Sequence, residues 1–201
     1  MEIIQSILNF WFEGVDDATF INKNKPPFRK WFAKDISFDG EIKDRFEGDV
    51  AEAAQGRYRA WEKTPEGKLA LIILFDQFSR NIYRDTEEMY AFDALAQKLA
   101  LSMIANNEHA ALPLIQQVFV YMPLMHAEDR ELQKLSVRCF ERLVETSRQG
   151  KPDNSAYFEY HLKYARRHFD IVERFGRFPH RNRTLERAST DEELEFLGFG
   201  G

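Results

Sequence analysis

Apolar residues recur at steps of three and four positions along almost the whole chain, and the strict apolar–polar alternation of a half-buried strand is nearly absent. Ile42, Phe46 and Val50 illustrate this spacing. A chain of 201 residues fits one domain, 1–201, that can bury a sizeable core. The pattern therefore predicts an all-α fold, an antiparallel array of helices with no sheet of three or more strands.

Composition narrows the class of protein further. The 18 Phe, 7 Tyr and 3 Trp predict a core built on aromatic rings, and the net charge of −5 argues against nucleic-acid binding. Cys139 alone cannot form an internal disulfide, and no metal-site spacing is present, so we expect neither a metal nor a cofactor. The first residues lack a signal-peptide pattern, and no apolar run approaches about 18 residues. We therefore expect a cytoplasmic protein without a membrane span.

Capping and turn residues predict where the helices begin and end. Thr64 and Pro65 predict the start of a helix that reaches about Tyr83, and Thr86 predicts the start of the next one. Pro123 predicts a break or a new helical turn. A first helix is predicted at 2–13, before Gly14, and Pro27 predicts the start of a short helix. Further helix ends are predicted at Gly56, 106–107 and Gly176. A loop is predicted at 150–154, and a capping box at 190–193.

The helix that starts at Pro65 is apolar on two opposite faces, which is typical of a central helix. One of these faces turns polar at Asp76 and Arg80, which are four positions apart and can pair along the helix. Arg84 lies one turn further on, and Asn81 flanks the pair. These side chains form either a structural ion-pair network or the floor of a pocket that binds an anion.

The segment 174–187 concentrates basic charge on an acidic chain. Gly176 and Pro179 indicate a shaped loop, and the guanidinium fork of arginine suits carboxylates and phosphates. The segment is therefore either a solvated basic surface or an anion-binding loop that also carries His180 and Asn182. Its arginines are Arg174, Arg177, Arg181, Arg183 and Arg187.

A third candidate segment places His126 beside Glu128 and Asp129. These residues can supply metal ligands or an acid–base pair, although the two acidic residues also suit the positive end of a helix. The segment lacks the two-histidine spacing of a zinc protease. His161 and His168 follow an aromatic stripe, which predicts a helix seam for both.

These segments, in this order, resemble the bacterial domain-of-unknown-function 924 family. The resemblance implies a tetratricopeptide-like helical fold and brings no established activity. The chain departs from the family pattern at Ser79, where Pro is frequent, and at Asp85 and Glu186, where Gly is frequent. The matching stretches are 7–12, 71–84, 121–129, 174–182 and 188–193.

Three hypotheses for function follow. In the first, the protein binds or transforms an anionic small molecule, with His126 or His180 as acid–base group. In the second, it is an interaction scaffold whose groove takes an acidic peptide or a protein partner. In the third, the motifs are purely structural. The candidate ligand-binding residues are Asp76, Arg80, Asn81, Arg84, Glu128, Asp129, Arg177, Arg181 and Asn182.

Overall fold

The computed structural model describes residues 2–150 and 152–198, and these residues form helices and turns with no strand. The predicted all-α fold is confirmed. The α-helices are α1 (Glu2–Phe12), α2 (Phe28–Phe32), α3 (Ile36–Ala54), α4 (Pro65–Ile72), α5 (Ser79–Ile82), α6 (Asp93–Ala105), α7 (Leu114–Met125), α8 (Arg130–Gly150), α9 (Ser155–Phe175) and α10 (Asp191–Gly198). Shorter 3-10 turns lie at Arg59–Lys63, Glu87–Tyr90, Glu108–Ala111, Pro152–Asn154 and Pro179–Arg181.

Aromatic rings fill the core, as the composition predicts. Trp11 of α1 is fully buried and meets Phe78 and Phe119 edge-on, with ring centroids 5.5 and 5.8 Å apart. The buried apolar residues from Ile7 to Ala165 form one continuous cluster. Burial of so many rings supplies much of the hydrophobic stabilisation of the array.

The central helix runs from α4 into α5 through a π-helical segment, Ile73–Phe78. Thr64 caps its start by accepting a hydrogen bond from the backbone N–H of Gly67, as predicted. Every residue from Gly67 to Ser79 is buried, so both faces of the helix contact other elements. π-Helical turns inside α-helices are frequent at functional sites, and they displace side chains from the regular helical register.

Helices α8 and α9 form an antiparallel pair, and the 3-10 turn at Pro152–Asn154 comes directly before α9. Arg148 near the end of α8 pairs with Glu159 near the start of α9, and Glu141 pairs with Arg166 one layer further along. The tetratricopeptide-like repeat remains a prediction. Within the described residues, no helix has both the length and the apolar character that crossing a bilayer requires.

Two predicted helix boundaries were wrong. The helix expected at Thr86 begins at Asp93, because residues 87–90 form a 3-10 turn first. Pro123 does not break α7 but lies inside its last turn. The predicted ends at Gly14, Gly56 and Gly176 are confirmed by left-handed backbone conformations at these glycines.

Candidate functional site

The structure brings together two side chains that lie on different predicted segments, Asp76 and His126. Asp76 is fully buried, and its Oδ1 accepts a hydrogen bond from Nδ1 of His126 at 2.7 Å. The second oxygen of Asp76 accepts a hydrogen bond from Gln77 at 2.6 Å. The His126 side chain keeps 13% of its surface exposed. Because Nδ1 is held by Asp76, Nε2 is the ring nitrogen left to meet a ligand.

The π-helical segment presents Asp76 to this contact. Side chains of three consecutive residues donate to backbone carbonyls four positions earlier: Ser79 to Phe75, Arg80 to Asp76 and Asn81 to Gln77. These hydrogen bonds satisfy carbonyl groups in the widened turn without water. The backbone that carries Asp76 is therefore fixed in the core.

The turn that carries His126 is also held in place by hydrogen bonds from side chains. Buried Gln133 donates from Nε2 to the carbonyls of Met125 and Ala127, both at 2.8 Å. His168 donates from Nδ1 to the same Met125 carbonyl at 3.0 Å, and Arg181 donates to the His126 carbonyl at 2.9 Å. Three consecutive carbonyls at the end of α7 are thus satisfied by side chains, which orients the imidazole between them.

Two arginines and a second carboxylate border the Asp76–His126 pair. Arg80 lies 3.1 Å from Asp76 and 2.8 Å from Asp93, the first residue of α6. Arg181 approaches the same Asp93 at 3.6 Å. Its guanidinium lies between the rings of Tyr90, at 4.6 Å, and Phe178, at 4.5 Å, a favourable cation–π arrangement. Arg80 and Arg181 converge as the anion-site hypothesis requires, and Asp76 and Asp93 offset their charge.

Burial and charge shift the pKa values of this cluster in opposite directions. Burial alone would raise the pKa of Asp76, but Arg80 and His126 outweigh it and hold the pKa at about 2. Burial, together with the nearby charge of Arg80, lowers the pKa of Arg181. Burial and the neighbouring His126 lower the pKa of His168 to about 4, so this imidazole is neutral at pH 7. Asp76 is accordingly ionised at pH 7.

The remaining predicted arginines lie elsewhere. Arg84 forms a bidentate pair with Asp39 of α3, at 2.6 and 2.8 Å, and also contacts Asn81. It leaves the predicted helix face because α5 ends at Ile82. Arg177 pairs with Glu193 of α10, and Asn182 donates to the same carboxylate. These residues fasten one element to another and do not border His126 through any of these contacts.

The acidic residues of the third segment also have structural partners. Glu128 accepts hydrogen bonds from the backbone N–H of Phe178 and from both terminal nitrogens of Arg187. Asp129 caps α8 by accepting from the N–H of Leu132, so the predicted helix N-terminus is confirmed for Asp129. His180 is exposed beside Phe178, and partial burial of its ring together with Arg181 lowers its pKa.

Four residues that contact the Asp76–His126 pair or its neighbours were not predicted as site residues: Asp93, Tyr90, Gln133 and His168. Tyr90 ends the unpredicted 3-10 turn and Asp93 follows it, so helical periodicity did not indicate that either residue lies beside Arg181. Gln133 and His168 donate hydrogen bonds to backbone carbonyls of the site, and a sequence pattern does not predict such contacts. Among the described residues, no group of three His, Cys, Asp or Glu side chains is arranged to hold a metal ion.

Comparison with known proteins identifies the family. The family model described as bacterial protein of unknown function (DUF924) matches residues 7–201, and the chain therefore belongs to that family. A solved structure of a protein of unknown function from Agrobacterium tumefaciens is similar, with 36% sequence identity, coverage of 99% of this chain and 98% of that chain, and a TM-score of 0.76. No curated protein matches the chain.

Proposed function

We propose that this member of the family is an acid–base enzyme for a small anionic substrate, with His126 as the proton-accepting residue. The observation that carries the proposal is the 2.7 Å contact between the buried Asp76 carboxylate and Nδ1 of His126. A carboxylate in this position fixes the tautomer that leaves Nε2 unprotonated, and it stabilises the imidazolium once Nε2 has taken a proton. Asp76 is thus a positioning residue, and His126 touches the substrate.

Arg181 is the residue that we expect to contact the anionic group. Its Nε is buried without a hydrogen-bond partner among the described residues, whereas Arg80 is paired with both Asp76 and Asp93. A carboxylate or phosphate beside the guanidinium of Arg181 would reduce the repulsion between the two guanidinium groups. Because Arg181 donates to the His126 carbonyl, an anion held there lies close to the imidazole.

The scaffold and the purely structural hypotheses make different predictions about ligands. A scaffold for an acidic peptide would respond to a glutamate-rich peptide and to no small anion. A purely structural cluster would respond to neither, because its charges are already paired. The proposal for an enzyme requires both a small anionic ligand and its chemical conversion.

The first experiment is a thermal-shift screen with phosphorylated and carboxylated metabolites and one glutamate-rich peptide. We expect at least one small anion to raise the Tm of the wild type by mass action, with a smaller shift at high salt. The shift should disappear in Arg181→Gln. Arg148→Gln, which removes an exposed arginine paired with Glu159, is the matched control and should respond as the wild type does.

The second experiment follows each anion found in the screen by NMR during incubation with the enzyme. His126→Gln should retain the thermal shift and lose conversion, because Arg181 holds the anion and His126 moves the proton. If no small anion shifts the wild type, or if Arg181→Gln responds identically to every one, the anion site does not exist. A response to the peptide alone would support the scaffold instead.

A further inference from the structure

Tyr90 lies beside both arginines of the candidate site. Its ring is 4.6 Å from the guanidinium of Arg181 and 5.8 Å from that of Arg80. Tyr90 ends the 3-10 turn that precedes α6, and the first residue of α6, Asp93, pairs with the same two arginines. The turn therefore holds a tyrosine at the edge of the charged cluster.

The hydroxyl of Tyr90 is open to a ligand. Tyr90 is half-buried, no described residue forms a hydrogen bond with its hydroxyl, and the hydroxyl oxygen retains accessible surface. The charges that act on it are those of Arg181, Arg80, Asp93 and Glu128, so the hydroxyl lies next to the cluster. Burial raises its pKa although both arginines lower it, so the hydroxyl is protonated at pH 7 and can donate.

Arg181 links this donor to the proposed base. Its guanidinium donates to the His126 carbonyl at 2.9 Å and packs on the ring of Tyr90. Nε2 of His126 also retains accessible surface and has no hydrogen-bond partner among the described residues. A small molecule held by the guanidinium therefore lies near an acceptor at His126 and a donor at Tyr90. Because Tyr90 packs directly on the guanidinium, the two ligand groups that contact Arg181 and Tyr90 should be adjacent in the ligand.

The charge balance of the cluster favours a ligand with a single negative charge. Arg80 lies 3.1 Å from Asp76 and 2.8 Å from Asp93, whereas Arg181 approaches Asp93 only at 3.6 Å. Two guanidinium groups thus face two carboxylates, and Arg181 has the looser partner. A carboxylate adds one negative charge beside Arg181, whereas a phosphate dianion would add two to a cluster whose charges already balance.

We propose that the substrate is a small 2-oxo carboxylate, with its carboxylate at Arg181 and its carbonyl oxygen at the Tyr90 hydroxyl. The reaction is proton transfer at the carbon beside the carbonyl, and this inference rests on the proposed function. Nε2 of His126 takes a proton from that carbon, the C–H electron pair becomes the C=C bond of an enolate, and the carbonyl π-electron pair moves onto the oxygen. Tyr90 donates a hydrogen bond to this oxygen as its negative charge develops. Return of a proton from the imidazolium to the carbon regenerates the 2-oxo acid, so no co-reactant is consumed.

Hydrogen exchange of 2-oxobutanoate in neutral D2O, followed by proton NMR, tests the chemical step. We expect the wild type to accelerate loss of the C3 methylene signal, while the C4 methyl hydrogens are retained. Tyr90→Phe keeps the ring on Arg181 and removes the hydroxyl, so the exchange rate at saturation should fall about hundredfold. Tyr83→Phe is the matched control, because Tyr83 is also half-buried but packs on Phe92, and exchange should continue at the wild-type rate.

Calorimetric titration tests the carbonyl contact without any turnover. The wild type should bind 2-oxobutanoate about fivefold more tightly than butanoate, which lacks the carbonyl, and Tyr90→Phe should bind the two equally. Equal exchange rates in the wild type and Tyr90→Phe would overturn the role of Tyr90 and leave the proposed enzyme intact. Binding of 2-oxobutanoate without exchange would overturn the reaction at this substrate class, while conversion of another anion from the screen would still support an enzyme. If no anion binds the wild type, the proposed function and this inference both fail.

Discussion

The carboxylate of Asp76 lies 2.7 Å from Nδ1 of His126, although 50 positions separate the two residues in the chain. The same oxygen lies 3.1 Å from a guanidinium nitrogen of Arg80, so one buried carboxylate contacts both a histidine and an arginine. Both contacts keep the pKa of Asp76 near 2. Arg80 and His126 therefore both depend on the same carboxylate as a partner.

Asp76→Ala should reduce the free energy of unfolding by roughly 3–5 kcal/mol, because it removes one of the two carboxylates that pair with the part-buried Arg80 and leaves His126 and Gln77 without their acceptor. Chemical denaturation monitored by circular dichroism measures this loss. Glu141→Ala, which breaks an exposed pair with Arg166, is the control and should cost less than about 1 kcal/mol. A loss of that small size in Asp76→Ala would contradict a structural role for the buried pair.

Glu186→Gly should stabilise the protein by about 1 kcal/mol, because Glu186 has a left-handed backbone with φ of 50°, which suits glycine. Asp85, the other position where the family pattern has Gly, also has positive φ, at 66°. Thermal unfolding of Glu186→Gly and Glu186→Ala separates backbone strain from charge, because both variants remove the carboxylate and only glycine relieves the strain of the positive φ. Equal stabilities of the two variants would show that the backbone at this position is not strained.

The pH dependence of stability should reveal the buried neutral imidazole of His161. Burial lowers its pKa from 6.5 to about 3, so the unfolded chain binds the additional proton as pH falls from 6.5. Its contribution to stability is complete above pH 6.5 and is lost as pH falls towards 3. His161→Phe should make the decline of the free energy of unfolding between pH 6 and 4.5 shallower by about 1.4 kcal/mol per pH unit.

Denaturant titrations at four pH values on both proteins measure that slope. His180→Phe is the control, because it also replaces an imidazole with a phenyl ring but at an exposed position. Parallel curves for the wild type and His161→Phe would mean that the buried ring accepts its proton as readily in the folded protein as in the unfolded chain.

Much of the fold could be predicted from local signals, because caps and periodicity act over one or two helical turns. Thr64, Gly176 and the 190–193 capping box all behave as their residue types require. The burial of Asp76 also followed from the apolar face that it continues. These predictions depend on neighbours in sequence, and such neighbours are visible without a structure.

The composition of the site could be predicted only in part, because its contacts are long-range and its helix is irregular. An ideal helix would carry Arg84 on the face of Arg80, but α5 ends at Ile82 and Arg84 turns to Asp39. Asp93 was missed because a 3-10 turn precedes α6. The arginines of segment 174–187 predict a basic loop, whereas in the structure Arg177 pairs with Glu193 and Arg187 pairs with Glu128.

The Glu193 carboxylate joins the arginine-rich loop to α10 and supports a last prediction. It accepts two hydrogen bonds from Arg177, one from the N–H of Thr190 and one from Asn182, and these partners lower its pKa to about 2. Glu193→Gln should therefore loosen α10, and amide hydrogen exchange in 194–198 should accelerate by at least about tenfold. Glu192→Gln is the matched control on the same helix, since Glu192 forms an exposed pair with Arg174, and exchange should change less than about twofold. Equal acceleration in both variants, or none in Glu193→Gln, would show that α10 is held by its apolar contact between Phe175 and Phe196 rather than by the carboxylate.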